Sequence, residues 1–187
     1  MSQTLHPLLA EIEGLFAAHG HETYGEGVTM QAHGLQAAAL AEHEGASDVL
    51  VVAALLHDIG HFLELADDAF GYHRHDGAGG DWLAARFGPE VSEPVRLHVA
   101  AKRYLCATDP SYFAKLSSAS VHTLSLQGGP MDAQEVAAFR LNPFHREAVK
   151  VRLWDEEGKR PGVRTPPFAH YAPMLQRVID RHMKECV

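Results

Sequence analysis

The sequence predicts an all-α protein, and three observations lead to this fold class. Apolar residues recur at three- and four-residue spacing through most of the 187-residue chain, which is the pattern of amphipathic helices. Glycine, proline and capping residues divide these stretches into segments of ordinary helix length. Neither an internal repeat nor a domain boundary is evident, and a chain of this length can bury a sizeable core. We therefore expect one domain that spans residues 1–187.

The predicted helices can be placed from these signals. Gly45 followed by Ser47 and Asp48 provides a break and an N-cap, and Pro143 is a first-turn proline. In chain order the helices cover residues 5 to about 20, 28 to about 44, 48–57, 75–88, 89–105, 132 to about 141, 143–155 and 168–183, with a short helical segment at 109–116. Residues 59–74 are predicted as a loop with at most a short helix. The hydroxyl-rich segment 117–130, which ends in a tight glycine turn, is also interpreted as a loop.

Composition limits the possible partners and compartments. The net charge is -8 and no block of like charges occurs, which argues against recognition of nucleic acid through its phosphates. The two cysteines, Cys106 and Cys186, have neither metal nor redox spacing. We see no signal peptide and no apolar run long enough to span a bilayer. The expected protein is soluble and cytoplasmic, without a membrane or an obligatory protein partner.

The residues with the clearest chemical meaning are His57 and Asp58, which follow the apolar run 49–56. Burying two adjacent ionisable groups is costly unless something compensates them, and a bound metal ion is the commonest compensation. On its own the pair could equally be a helix cap followed by the start of a turn. The 14 histidines of the chain are spread over many segments, so the other ligands have to be sought on other helices.

Further histidines and a carboxylate lie on separate predicted helices. These are His33, His75, His98 and Asp155. Imidazoles and carboxylates suit iron, manganese or zinc, and three or more of them complete the protein ligands of one ion. With His57 and Asp58 they could hold two ions if one carboxylate bridges, and Asp58 is the natural bridge because its neighbour His57 is committed to one ion. His98 and Lys102 are four residues apart and share a helical face, which suggests a pocket.

This arrangement resembles the HD-domain superfamily, whose signature is H…HD…D on a bundle of about five core helices. The matching residues are His33, the pair His57-Asp58, and the added His75 and His98 of the two-metal branch. The resemblance covers roughly residues 25 to 160. It implies a single HD-type helical bundle of five core helices with peripheral helices around it.

Three stretches narrow the resemblance to the phosphonate-degrading, mixed-valent di-iron oxygenases of the PhnZ type, which share a cofactor with myo-inositol oxygenase. They are residues 97–105, 120–129 and 151–155. The resemblance implies an Fe(II)/Fe(III) pair and O2 as co-substrate. It also implies cleavage of the C–P bond of a small aminated 1-hydroxyphosphonate to a carboxylic acid and inorganic phosphate. A metal-dependent phosphohydrolase acting on a nucleotide or another phosphomonoester is the alternative. A catalytically silent binding protein is a third, which the intact ligand set disfavours.

The resemblance also assigns residues to roles. One iron would take His33, His57 and Asp155, the other His75 and His98, and Asp58 would bridge them. The phosphonate would meet His61, Lys102, Ser120, Gln127 and Arg152, and Asp58, His61 and Lys102 form the catalytic set. Read singly, Arg152 could be a surface ion-pair partner, His61 a helix cap and Lys102 a solvated charge.

The amine end of the substrate is less well defined by the sequence. Glu26 stands where the family keeps a glutamate for the ammonium group, and Tyr24 is the nearby tyrosine in a displaced position. That departure leaves open whether the amine is primary or N-methylated, because a trimethylammonium head needs carboxylate charge and aromatic faces. The further candidates for this pocket are Phe62, Tyr72, Tyr104 and Asp76.

Overall fold

A computed structural model describes residues 6–23, 27–63 and 75–185. The described residues form ten α-helices and one short 3₁₀ helix and contain no strand, which confirms the predicted fold class. The helices are α1 (Pro7–His19), α2 (Met30–His43), α3 (Asp48–Leu55), the 3₁₀ helix (Ile59–Phe62), α4 (His75–Phe87), α5 (Pro89–Thr108), α6 (Pro110–Phe113), α7 (Ser118–Leu126), α8 (Ala133–Leu141), α9 (His145–Glu157) and α10 (Phe168–Glu185).

Helix α3 is the centre of the bundle. Every residue from Val49 to Leu56 is buried, which explains why this segment is apolar on all sides rather than amphipathic. It packs against α2, α5, α9 and α10. A helix surrounded in this way delivers whatever follows it into the interior, and the residues that follow are His57 and Asp58.

The remaining long helices enclose this centre. Helix α5 packs against α4 and α9, and α2 packs against α3 and α9. The main hydrophobic cluster contains residues from α1, α2, α3, α4, α5, α9 and α10. Helix starts are fixed locally: Thr29 accepts a hydrogen bond from the Ala32 N–H, and Asp132 and Glu135 form a capping box on α8.

Two boundaries differ from the sequence predictions. Helix α3 ends at Leu55, before His57, because the chain tightens there into 3₁₀ geometry and the Ile59 N–H bonds the Leu56 carbonyl. Helix α9 begins at His145, and Pro143 lies in the turn before it. Of the predicted loop 59–74, residues 59–62 are the short helix, and 64–74 lie outside the described residues.

The prediction of a loop at residues 117–130 is wrong for its first part. Residues 118–126 form α7, whose N-terminus is capped by the Ser117 hydroxyl accepting from the Ser120 N–H. The tight turn that was expected after it is present, with φ of 97° at Gly128 and 74° at Gly129. Helix formation places Ser120, Thr123 and Gln127 at positions i, i+3 and i+7, on one face.

No helix of the described residues is both long enough and apolar enough to cross a lipid bilayer.

Candidate metal centre and anion-binding site

Six predicted ligands converge from four helices and the turn after α3. His33 comes from the first turn of α2, His75 starts α4, His98 lies within α5, and Asp155 lies near the end of α9. The other two, His57 and Asp58, follow α3. Their side chains form two clusters that share Asp58.

The first cluster surrounds the Nε2 atoms of His33 and His57, which lie 3.0 Å apart. Oδ2 of Asp58 is 3.5 Å from each of them. Oδ1 of Asp155 is 3.3 Å from His33 Nε2 and 3.8 Å from His57 Nε2. Two imidazoles and two carboxylates therefore face one point in the interior.

The second cluster uses the other oxygen of Asp58. His75 Nε2 and His98 Nε2 lie 3.3 Å apart, and Oδ1 of Asp58 is 3.7 Å from both. Because its two oxygens face different histidine pairs, Asp58 is the group shared by the clusters. This is the geometry expected of a bridging carboxylate.

Backbone carbonyls set the orientation of the imidazoles. Nδ1 of His57 donates to the Ala54 carbonyl at 2.8 Å, and Nδ1 of His98 donates to the Val95 carbonyl at 2.6 Å. Nδ1 of His33 lies 3.1 Å from the Gly158 carbonyl. An imidazole that donates through Nδ1 presents the lone pair of Nε2, so these rings face one another with lone pairs. Only a cation between them makes such a contact favourable.

The ligand spacing fits metal ions. A ligand atom about 2.1 Å from an ion lies roughly 3.0 to 3.4 Å from its neighbours in octahedral or tetrahedral geometry. The distances within the first cluster run from 3.0 Å to 3.8 Å, and those within the second from 3.3 Å to 3.7 Å. The histidine and carboxylate donors suit iron, manganese or zinc, and the residues present therefore fit a two-metal centre.

Electrostatics favour positive charge at this centre. Burial alone would lower the pKa of His33, but hydrogen bonds to Asp155 and Asp58 outweigh it and raise the pKa to about 10. Burial would raise the pKa of Asp58, yet His57 and His33 hold it well below its usual value. Burial lowers the pKa of both His75 and His98. Metal binding requires ionised carboxylates and neutral imidazoles, so a metal ion at the first cluster would displace the proton that His33 holds in the metal-free protein.

His61 lies against the second cluster. It is on the 3₁₀ helix, and its ring stacks on that of His75 with centroids 4.1 Å apart. Gly60 makes this approach possible, because a Cβ atom on it would lie 2.0 Å from the His75 carbonyl oxygen. The packing of the 3₁₀ helix on the start of α4 thus brings His61 to the edge of the candidate metal centre.

A cationic region borders the first cluster. Lys102, on α5 one turn after His98, is 3% exposed, and its Nζ donates to the Thr123 hydroxyl at 2.8 Å. Burial, with the nearby charges of Arg152 and Lys159, lowers the pKa of Lys102 to about 8. Among the described residues, no carboxylate is in ion-pair contact with this buried ammonium, which suits it to binding an anion.

Arg152 is the second buried cation and is 4% exposed. It is therefore not the surface ion-pair partner that the sequence alone allowed. Its Nε donates to the Tyr112 hydroxyl at 2.7 Å, and Nη1 donates to Oδ2 of Asp155. Nη2 donates to Glu156 and, at 3.2 Å, to the Ser120 hydroxyl. Arg152 therefore links a candidate metal ligand to α7. Among the described residues, the second N–H group of Nη1 is left for a ligand.

The structure adds residues that the sequence analysis missed. Thr123, Glu156 and Lys159 join the predicted Lys102, Ser120 and Arg152 in one hydrogen-bonded network. The signal for two of them was available, since residues 152, 155, 156 and 159 have the i, i+3, i+4, i+7 spacing of one helical face. Gln127, at the end of α7, is the remaining predicted contact on this side.

The residues proposed for the amine end are only partly described. Tyr24, Glu26 and Tyr72 lie outside the described residues. Phe62 is buried in the core against Phe16, with ring centroids 5.1 Å apart, and Tyr104 packs against Phe139 on α8. Asp76 lies in the first turn of α4, next to His75.

Comparison with known proteins places these features in a family. The profile of the HD domain matches residues 30–156, a range that includes all six candidate ligands. A 1-hydroxy-2-(trimethylamino)ethylphosphonate dioxygenase (glycine-betaine-forming) of Leisingera caerulea is 50% identical over 179 residues, covering 92% of this chain and 90% of the relative. A hydroxymethylphosphonate dioxygenase of Gimesia maris is 42% identical over 185 residues, covering 96% and 92%.

Proposed function

The chain belongs to the HD-domain family and to its phosphonate dioxygenases, and we propose that it cleaves the C–P bond of a 1-hydroxy-2-(trimethylamino)ethylphosphonate with O2. The products are glycine betaine and inorganic phosphate. The observation that carries this proposal is the 50% identity to the glycine-betaine-forming relative over nearly the whole length of both chains.

The reaction balances without an external electron donor. A 1-hydroxyphosphonic acid, R–CH(OH)–PO3H2, and O2 give R–COOH and H3PO4. The C1–H and C–P bonds break, C1 is oxidised to the level of a carboxylic acid, and both atoms of O2 enter the products. An Fe(II)/Fe(III) pair, when bound, supplies the redox chemistry for activating O2 and removing hydrogen from C1. Phosphate ester hydrolysis, in contrast, requires no oxidant.

We assign the metal ligands by the two clusters. His33, His57 and Asp155 would hold one iron, His75 and His98 the other, and Asp58 would bridge them. The short Nε2–Nε2 distances and the division of the two Asp58 oxygens support this assignment. We assign His61 a role in proton transfer beside the iron that His75 and His98 would hold, and its stacking on the His75 ring supports this assignment.

The cationic region would bind the phosphonate. Lys102 and Arg152 supply charge for the oxygens, and Gln127 supplies a neutral amide donor. Ser120 belongs to the same network. Charge at one end and a bound C1 hydroxyl at the metals would hold C1 close to the irons, so that positioning contributes much of the rate. Tyr24 and Glu26 remain our candidates for the ammonium group.

The test is O2 uptake with phosphate release. Iron-loaded protein, purified anaerobically, should consume one O2 per phosphate released from the trimethylated compound. The panel should include the mono- and dimethylated and primary amines and hydroxymethylphosphonate. A preference for hydroxymethylphosphonate would contradict the proposed trimethylated substrate and would indicate the substrate named for the Gimesia maris relative. Phosphate release from nucleotides without O2 uptake would instead establish the hydrolase alternative.

A further inference from the structure

Glu156 is the centre of the hydrogen-bond network behind the candidate phosphonate site. Its side chain is 9% exposed and accepts from four donors. Oε1 accepts from the Ser117 N–H at 2.8 Å, and Oε2 accepts from the Ser120 hydroxyl at 2.8 Å. Oε2 also accepts from Arg152 Nη2 and, at 3.2 Å, from Lys159 Nζ. Such a set of donors can be satisfied only by a carboxylate, which is an acceptor at both oxygens.

The four donors, two of which are cations, require a carboxylate that accepts at both oxygens. It also joins two elements, because Ser117 caps the N-terminus of α7 and Glu156 lies on α9. Glu156 therefore helps to hold the face of α7 that carries Ser120, Thr123 and Gln127 on α9, together with Arg152, which also bonds Ser120.

The bond directions determine what Ser120 can offer to a ligand. An ionised carboxylate only accepts, so the single hydroxyl proton of Ser120 goes to Glu156. The oxygen in turn accepts from Arg152 Nη2 and, at 2.9 Å, from Lys159 Nζ. Ser120 is thus an acceptor that orients two cations, and its own proton is taken up by Glu156.

We propose that Glu156 is a positioning residue for phosphonate binding: it fixes the guanidinium of Arg152, and through Ser120 the ammonium of Lys159, in the orientation that receives the anion. The position of Glu156 supports this over direct competition with the substrate. It also lines a cavity of about 420 Å³, together with Tyr112, Leu153 and Arg160, and none of the residues described as lining it is a candidate metal ligand. Glu156 therefore borders a cavity other than the candidate metal centre. The inference rests on the proposed function for the identity of the anion.

Glu156→Gln tests the proposal, because the amide would turn a donor towards the cations. The matched control is Glu157→Gln, which makes the same change at the exposed neighbouring residue. We expect Glu156→Gln to raise both the KM for the phosphonate and the Kd for inorganic phosphate by about tenfold or more, the size of a lost charge-assisted hydrogen bond. Iron content and kcat should change little, and the control should stay within about twofold.

Two further variants separate positioning from a structural role. Glu156→Asp keeps the charge and should recover part of the phosphate affinity, also where the glutamine variant does not fold. In an Arg152→Lys background, Glu156→Gln should add a smaller loss than it causes alone, because the part of its effect that acts through Arg152 is already gone. Tighter phosphate binding in Glu156→Gln, a loss equal to that of the control, or independent effects of the two substitutions would overturn the proposal. Phosphate binding is measured by calorimetry and needs no turnover. If the proposed substrate were wrong, the effect of Glu156→Gln on the Kd for phosphate could therefore still be measured.

Discussion

Asp58 is the residue that the two candidate ligand clusters share. Its Oδ2 faces the His33–His57 pair and its Oδ1 faces the His75–His98 pair, each at similar distance. In the proposed centre, a carboxylate that divides its oxygens in this way would contribute to two ions at once. The pair His57-Asp58 therefore combines two roles in adjacent residues, since His57 belongs to the first cluster alone.

Asp58→Ala should remove both ions, because each cluster loses its shared ligand. We expect about two iron ions per chain in the unchanged protein and almost none in the variant, measured by elemental analysis after anaerobic loading. His98→Ala is the comparison, since it takes a ligand from the second cluster alone and should lower the iron content by about half. Retention of one firmly bound iron in Asp58→Ala would contradict the bridging assignment.

The lowered pKa of Lys102 predicts weaker substrate binding by the free enzyme in mildly alkaline solution. Burial and the neighbouring cations lower its pKa to about 8, so the ammonium loses its proton as the pH rises through that value. The phosphonate then meets one cation fewer. We expect kcat/KM, which reports the free enzyme, to decline above about pH 8.

Substitution by arginine, which stays charged across this pH range, tests whether Lys102 causes the decline in kcat/KM. Lys102→Arg should shift the decline in kcat/KM to higher pH, because a guanidinium keeps its proton. Lys150→Arg, at an exposed position on α9, should leave the profile unchanged. An identical decline in Lys102→Arg would show that another group titrates.

At the scale of elements, the sequence predicted most of the helices and missed one, α7. The long helices follow from apolar spacing and clear caps, and the ligands could be assigned because HD-type spacing marks them. Helix α7 was missed because Ser118, Ser120, Thr123 and Ser125 favour turns as readily as helices. What stabilises it is tertiary: Glu156 and Arg152, far along the chain, hold its first turn. No local pattern could indicate that contact.

The contact between the 3₁₀ helix and α4 can be tested at Gly60. A methyl group there would lie 2.0 Å from the His75 carbonyl oxygen, so Gly60→Ala must push the start of α4 away. We expect a loss of stability of about 1 to 3 kcal/mol and weaker iron binding at the His75–His98 cluster. Thermal unfolding and iron content measure the two effects.

Gly14→Ala is the matched control for this substitution. Gly14 is exposed within α1, and a Cβ on it would meet nothing within 4 Å. The variant should be more stable by about 0.5 to 1 kcal/mol, because alanine favours the helix over glycine. Equal iron content in the two glycine variants would show that the close approach at Gly60 does not position His75.

At the scale of the whole molecule, the helical bundle has an apolar central helix and a group of buried ionisable side chains at the C-terminal end of that helix. The part of helix α3 from Val49 to Leu55 is apolar on every side, yet the turn that follows the helix carries His57 and Asp58. Buried charges destabilise a protein unless they are compensated, and the proposed metal ions would compensate them. Folding and metal binding should therefore be coupled, with bound iron stabilising the native state in proportion to its affinity.

This coupling predicts how stability depends on pH in the chelated protein. The pKa of His33 is raised to about 10, so the stability it contributes is complete below its unfolded value of 6.5 and is lost as the pH rises towards 10. The pKa values of His75 and His98 are lowered, so their contribution is present above 6.5 and is lost as the pH falls below it. Together these opposite signs give the metal-free protein a maximum near pH 6.5.

Thermal unfolding of chelated protein across pH 5 to 9.5 should therefore give a melting temperature that falls on both sides of the maximum. The iron-loaded protein should keep its melting temperature above pH 6.5, because an Nε2 atom bound to a metal carries no proton that a rise in pH could remove. Chelated His33→Gln should lack the alkaline decline and retain the acidic one. An alkaline decline of equal size in the iron-loaded protein would place the titrating group outside the metal centre, and would remove His33 as its cause.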